Sequence, residues 1–307
     1  MRREHLAISI NGGGALGIGP VALMCEIEKK LGEGWISKNA AAFGGTSTGA
    51  IVAACLDEGM SAEKIRKFYR DNLKDIFKKY SLWERIKDLK KPTYNHARLK
   101  ELLMDCMKGK CSDWEKPIFI PTTRLNGKKS VEKVWDRGDD DVDKWFAVLS
   151  STCAPTYFDA ECLEDKEKPG EKTWFCDGGM WANSPIAVLN AGLNITEYRG
   201  TYRILTFDTD MDMMEQVEGN QTLLGWGKYV LDEWVARSGK SGDFQVMADI
   251  GRENVFVLSP SIPEKKGKKV RYKMDDVTDK TLDALEEIWR NYFQEKKEKI
   301  MAFINNT

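Results

Sequence analysis

The chain predicts an α/β fold built on a mostly parallel sheet, and three features carry that prediction. Two apolar runs, Leu6–Ile10 and Ala40–Phe43, each end in a glycine cluster, Asn11-Gly12-Gly13-Gly14 and Gly44-Gly45. Each cluster then opens into helical spacing, over Ile18–Leu31 (Val21, Met24, Cys25, Ile27, Leu31) and over Gly49–Leu56. Strands that close on glycine and run straight into a helix are βα units, whose crossover helix returns the chain to a parallel neighbour. Finally, no internal repeat and no Ser/Gly linker divides the 307 residues, so residues 1–307 are expected to form one domain.

The later elements follow in order. Ser61–Phe77, Leu82–Leu89 and Ala97–Met107 predict three successive helices, a basic helical insertion over about 61–110. Pro117–Leu125 and Val131–Trp135 predict strands around an Asn126-Gly127 turn. Val142–Ser151 predicts a helix, Glu161–Lys172 a charged loop, and Thr173–Cys176 a short strand entering Asp177-Gly178-Gly179. Ser184–Ala191 predicts a helix with Ser at its cap and Pro at its first position. Tyr202–Phe207 predicts a strand. Leu223–Ala236 and Leu282–Ile304 predict amphipathic helices within a helical part over about 220–307, the last covering the sheet. Trp114, Trp135, Trp145, Trp226, Trp234 and Trp289 lie inside apolar patterns and are assigned to the core.

Composition narrows the function classes. With 42% apolar and 31% charged residues the chain is globular, which excludes low-complexity disorder and collagen-like classes. A net charge of −1 gives no bulk basicity to argue for a nucleic-acid polymer as partner. Apolar runs stop far short of the roughly 18 residues that span a bilayer, and the start MRREHLAISI lacks a secretory apolar stretch. The seven cysteines form no C-x-x-C pair, so a disulfide framework or zinc ribbon is not expected and a reduced, cytoplasmic setting is. The charge is nonetheless sorted. Lys64–Lys91 holds eleven Lys/Arg against four Asp/Glu, a local +7 that leaves −8 on the remainder.

Gly45-Thr46-Ser47-Thr48-Gly49 fits G-x-S-x-G between a strand and a helix. A sharp strand-to-helix turn exposes the serine hydroxyl, and flanking glycines remove side chains that would clash. Ser47 would also stand at a helix N-terminus, where the dipole favours developing negative charge. Gly12-Gly13-Gly14-Ala15-Leu16-Gly17 satisfies G-x-G-x-x-G and admits two uses. One is a dinucleotide site with Glu33 on the ribose; the other is an oxyanion hole made by converging backbone N–H groups. A nucleotide site gives no reason for a serine elbow on the adjacent strand, whereas acyl transfer needs both.

A serine nucleophile needs a base. The chain has only His5 and His96, and none after His96, so the order Ser, Asp/Glu, His is impossible. His96, between Asn95 and Ala97 at a helix start, is expected to face solvent or cap the helix. A carboxylate is left, and Asp177 follows a short strand. An unperturbed Asp, with a pKa near 3.9, is a poor base for a hydroxyl; it would need direct contact with Ser47 Oγ, about 2.6–3.2 Å.

Asn11–Gly17, Gly45–Gly49 and Asp177–Gly179 together resemble the patatin-like phospholipases, lipid acyl hydrolases with a Ser–Asp dyad and no histidine. Ser151-Thr152-Cys153-Ala154-Pro155-Thr156-Tyr157-Phe158 is similar to the family's small-residue/Ala-Pro-x-x-Phe segment. Asp177-Gly178-Gly179 with the trailing Asn183-Ser184-Pro185 is similar to its Asp-Gly-Gly segment, so the likeness runs from residue 6 to about 190. It implies a three-layer α/β/α fold, Ser47 as nucleophile and Asp177 as proton acceptor. The amides of Gly12, Gly13, Gly14 and Thr48 would form the oxyanion hole, and Gly17, Gly45, Gly49, Gly178 and Gly179 would be motif glycines. It also implies ester hydrolysis through an acyl-enzyme, with no metal or organic cofactor. Asn11 stands where the family usually has Asp, and Leu16 where it often has Lys or Arg.

The expected partner is a phospholipid membrane surface, bound peripherally. Phe68, Tyr69, Phe77, Tyr80 and Trp83 interleave the basic segment, which suits either an interfacial helix on anionic lipid or a solvated helix face with its aromatics in the core. Some bacterial patatin-like enzymes are switched on by cyclic nucleotides in anti-phage defence, so a small nucleotide activator is a further expectation of the resemblance. Asp208-Thr209-Asp210-Met211-Asp212 begins like a calcium loop, but Met213 and Gly219 occupy the positions for Gly and Glu, so no metal site is expected.

Overall fold

The structure, a computed structural model, describes residues 3–80, 92–127, 129–164, 170–209, 222, 240–262, 264–265, 268–270 and 272–307. The expected helices Leu82–Leu89 and Leu223–Ala236, with Trp226 and Trp234, lie outside them. Five strands form the parallel part of the sheet in the order β3 (Ile118–Asn126), β2 (Ala42–Gly45), β1 (His5–Ile10), β7 (Tyr202–Phe207), β8 (Val255–Leu258). An antiparallel wing continues from β3, with β4 (Lys129–Trp135) pairing β3, β6 (Lys172–Asp177) pairing β3, and β5 (Glu161–Glu164) pairing β6. A separate short hairpin pairs Glu264–Lys265 with Lys268–Lys269.

Helices cover both faces. Leu6, Ile8, Ile10 and Phe207 pack under α1 (Ile18–Leu31), α3 (Thr48–Asp57), α6 (Lys144–Thr152) and the 27-residue α10 (Asp279–Asn305). Ala7, Ala42 and Ile204 pack on the opposite face against α8 (Ile186–Leu193) and α9, the helical stretch 240–250. β1 and β7 are covered on both faces, which is why they read as continuous apolar runs rather than alternating ones. Trp114, Trp135 and Trp289 are core residues, and Trp145 is partly buried against the core.

Several elements depart from the sequence expectation. The charged loop over Glu161–Lys172 begins and ends as strand: Glu161–Glu164 pairs with Lys172–Phe175, because an edge strand tolerates charge where a central one does not. Trp35–Asn39 (α2) and Gly179–Ala182 (α7) are short helices, and β8 is a four-residue strand too brief to stand out as a pattern. The helix expected at Ser184 starts at Ile186 with Pro185 as its cap residue, and the Ser184 hydroxyl makes no capping bond.

The sorted charge has a structural cause. Arg66 and Arg70, on α4 (Ala62–Ile76), pair with Glu286 of α10, and Arg290 joins from α10 itself. Glu286 is only 2% exposed, a burial that a carboxylate sustains only among cations. Arg70 also meets Asp283 at 2.7 Å, and Lys74 meets Asp279 at 2.8 Å. Tyr69 and Leu73 are buried, and Phe68 packs on the core. Over its described part the basic segment is therefore a clamp on an acidic helix with its aromatics turned inward. Arg66, Arg70 and Lys74 are committed within the fold.

Candidate active site

The elbow is built by close backbone approach. A Cβ at Gly45 would overlap the backbone of Gly49, and one at Gly49 would overlap the Ile10 carbonyl. With both side chains absent, β2 can turn into α3 within two residues. Ser47 occupies the turn at φ 55, ψ −124, a conformation that a non-glycine residue adopts only when its surroundings enforce it. The Ser47 N–H donates to Ser151 Oγ at 3.1 Å, and Ser151 Oγ donates to the Pro121 carbonyl at 2.6 Å. Ser151 thus ties the elbow to β3.

Sheet register sets the height of the second group. Gly44 lies opposite Phe119 on β3. Three residues further on, the first chain reaches Ser47 and the second Thr122, whose partner on β6 is Asp177. Equal rise per residue on neighbouring chains brings the serine and the aspartate level, and the Ser47 hydroxyl lies close enough to the Asp177 carboxylate to favour its charged form. Gly178 lies against the Pro121 carbonyl too closely for any side chain, and the Gly179 N–H donates to Asp177 Oδ1 at 2.6 Å. Burial pushes the Asp177 carboxyl up to about 6, against the opposing pull of the Gly179 amide and the Ser47 hydroxyl. A carboxylate of that basicity is far better matched to a hydroxyl proton at neutral pH than an exposed one.

The glycine loop after β1 lies beside the elbow. Gly14 takes φ +57 and lines, with Ser47, Ile51, Phe68, Leu99 and Phe158, an apolar slot of about 40 Å³. Gly17 lies 2.7 Å, as a hypothetical Cβ contact, from Thr48 Oγ1, which lets the loop's 3₁₀ turn rest on the start of α3. The expected oxyanion set needs one correction. The Gly12 N–H is donated to the Asn183 carbonyl at 2.9 Å and is already used, whereas its own carbonyl accepts from Thr209 Oγ1. Gly12 therefore anchors the loop, and Gly13, Gly14 and Thr48 are the candidate donors. The next amide, Ala15 N–H, is taken by the Met274 carbonyl at 2.8 Å. Asn183 and Ser151 were legible within motifs, although their roles were not; nothing in the sequence pointed to Met274.

The other sequence candidates separate from the site. Glu33 accepts from Ser61 Oγ at 3.0 Å beyond the far end of α1, about 20 Å of helix from the glycine loop, so it is not placed as a ribose ligand. His96 neither faces solvent nor caps α5 (Ala97–Cys106): its Nε2 meets Glu161 at 2.8 Å, and Asn95 Oδ1 accepts from the Ala97 N–H instead. Asn11 donates to Asp208 at 3.3 Å, and Asp208 also accepts from Ser259, which ties the strand ends together. Leu16 is buried in the core. Residues 210–221 of the acidic stretch lie outside the described residues, and among the described residues no three His, Cys, Asp or Glu side chains form a metal-binding group.

A strand-turn-helix serine beside a buried aspartate, next to a glycine loop with amides at a helix start, is an arrangement suited to serine acyl transfer. The chain belongs to the patatin-like phospholipase family, whose match covers residues 8–190. It is 32% identical over 192 residues to a cGAMP-activated phospholipase of Escherichia coli (strain TW11681), covering 58% of this chain and 52% of that one. A cUMP-AMP-activated phospholipase of Escherichia coli is 27% identical over 207 residues, covering 64% and 62% respectively. The chain thus spans between half and two thirds of these relatives. Among solved structures, human GIVD cytosolic phospholipase A2 aligns with 98% of this chain and 60% of its own at a TM-score of 0.51 and 11% identity, a likeness of fold.

Proposed function

We propose that the protein hydrolyses acyl esters of glycerophospholipids at a membrane surface, and the placement of Ser47, on its strained turn, beside the buried Asp177 carries this reading. Ser47 Oγ bonds to the acyl carbonyl carbon as its proton passes to Asp177, and the carbonyl pair becomes an oxyanion facing the Gly13, Gly14 and Thr48 amides. Collapse expels the lysolipid alkoxide, which takes the proton from Asp177 and leaves an acyl-serine. Water then attacks, Asp177 takes its proton, and a second collapse frees the fatty acid and returns the proton to Ser47. The apolar slot beside Ser47, at about 40 Å³, is smaller than an acyl chain, so its lining must rearrange to admit one. No helix among the described residues is long and apolar enough to cross a membrane; a peripheral, cytoplasmic location belongs to the proposal.

Labelling with a fluorophosphonate, located by mass spectrometry, and hydrolysis of phospholipid vesicles test the dyad. Ser47→Ala and Asp177→Asn are expected to lower turnover by at least about a thousandfold with the fold intact; near-normal turnover in either would remove the dyad. The pH profile follows from Asp177. Its base form exists only above its raised pKa, so kcat/KM should climb through about pH 6 and level off above it. The stability effect runs the other way. A carboxyl raised from 3.8 to about 6 stabilises the fold when protonated and loses that contribution as pH rises through this window. Asp177→Asn should therefore raise stability at pH 8 by about 3 kcal/mol while abolishing activity.

A nucleotide-gated form of the same activity is the second reading, favoured by the relatives named as activated by cGAMP or cUMP-AMP. Vesicle hydrolysis measured with and without these cyclic dinucleotides decides it: full activity without them sets gating aside, and dependence on one establishes it.

A further inference from the structure

A second cavity, of about 790 Å³, opens along the antiparallel wing between β3, β4 and the turn at 153–160. Phe158 lines both this cavity and the slot at Ser47, so one aromatic ring stands between them. Thr123 and Cys176, opposite each other on β3 and β6, form part of its wall one residue from Asp177. The space is placed to take the half of an ester substrate that stays outside the slot.

Among the described residues its lining carries two carboxylates, Glu132 and Asp159, and no Lys, Arg or His. Both side chains are exposed, and among the described residues neither has an ion-pair partner. Phe158 and Trp181 add aromatic rings, and the Trp181 indole N–H donates to the Thr122 carbonyl at 3.1 Å, which fixes that ring in place. Met180, 48% exposed, gives the cavity an apolar border. Carboxylates attract an ammonium group through charge and aromatic rings attract it through their quadrupole, and the carboxylates repel a head group that is only anionic.

We infer that this cavity receives the head group of the leaving lysolipid and selects zwitterionic head groups bearing an amine, choline or ethanolamine, over anionic ones. The inference rests on the acyl-hydrolase reading of Ser47 and Asp177. Vesicles holding equal amounts of phosphatidylcholine and phosphatidylglycerol with identical acyl chains present both lipids on one surface, so the ratio of lysolipids formed reads relative kcat/KM free of membrane affinity. The expected ratio is about tenfold in favour of the choline lipid, falling below about threefold in Glu132→Gln/Asp159→Asn. A ratio near one in the unaltered protein, or one unchanged in the double variant, overturns the inference. Calorimetry with dihexanoyl forms of both lipids below their micelle concentrations, on the Ser47→Ala background, separates the two readings. Tighter choline-lipid binding that the double variant loses, without hydrolysis by the unaltered protein, keeps the cavity and removes the ester chemistry. Hydrolysis without discrimination keeps the chemistry and removes the head-group site. Neither hydrolysis nor discrimination removes both.

Discussion

Two glycine turns close neighbouring parallel strands, and they are held in opposite ways. The elbow after β2 is shaped within its own pentapeptide, with Gly45 against the Gly49 backbone and Ser47 at φ 55, and is then seated by Ile10, Ser151 and Ala182. The loop after β1 is fixed by residues remote in sequence: the Asn183 carbonyl, the Thr209 hydroxyl and the Met274 carbonyl. The conformation of the first turn is set mainly by its own residues, whereas that of the second is set by the assembled fold. The nucleophile thus sits on a turn shaped mainly by its own βα unit, whereas the loop of the expected oxyanion donors is held by contacts from the 180s, the end of β7 and the lead-in to α10.

Substitutions can break this contrast. Gly49→Ala should have the largest effect, a loss of about 3 kcal/mol in chemical denaturation together with loss of fluorophosphonate labelling, because its Cβ meets the backbone of Ile10 and neither strand nor helix can yield. Gly14→Ala should cost less stability, about 1–2 kcal/mol, since it adds a strained φ and displaces Met274, which belongs to a connecting segment. Its main effect should be on labelling rate, with Ser47 in place and the loop amides moved. If it unfolds the protein as badly as Gly49→Ala, the loop is as integral as the elbow and the contrast fails. Ser151→Ala should be the mildest, about 1 kcal/mol in thermal or chemical unfolding, as it removes a hydroxyl between the Ser47 amide and the Pro121 carbonyl. A neutral Ser151→Ala would sharpen the contrast by showing that the elbow needs no tie to β3.

The same division explains what could be read in advance. Parallel strands closing on glycine and the serine elbow are short-range facts, and each led directly to structure. Asp177 was legible because the Asp-Gly-Gly turn is local, although its contact with Ser47 depends on the register of β2, β3 and β6. By contrast, the use of the Gly12 amide by Asn183, the pairing of His96 with Glu161 and the clamp of Arg66 and Arg70 on Glu286 join segments whose meeting no local pattern encodes. The charge excess of Lys64–Lys91 was visible in the sequence, yet its counter-charges lie some two hundred residues away on α10. β5 was hidden for a different reason: its alternation is masked by the glutamates that an edge strand can carry.

The buried aspartate has a consequence for how charge travels. A histidine base would turn a neutral pair into two opposite ions, and the protein would have to stabilise both. In the proposed reaction Asp177 carries one negative charge at rest, and when it accepts the Ser47 proton that single charge reappears on the substrate oxygen. The count of ions in the site does not change; only the position of one anion does. It passes from the cradle formed by the Gly179 amide and the Ser47 hydroxyl to the one at the glycine loop and the start of α3. Such a site needs two matched resting places for the same charge, and the burial that makes Asp177 reluctant to keep it is what tilts the balance toward the second.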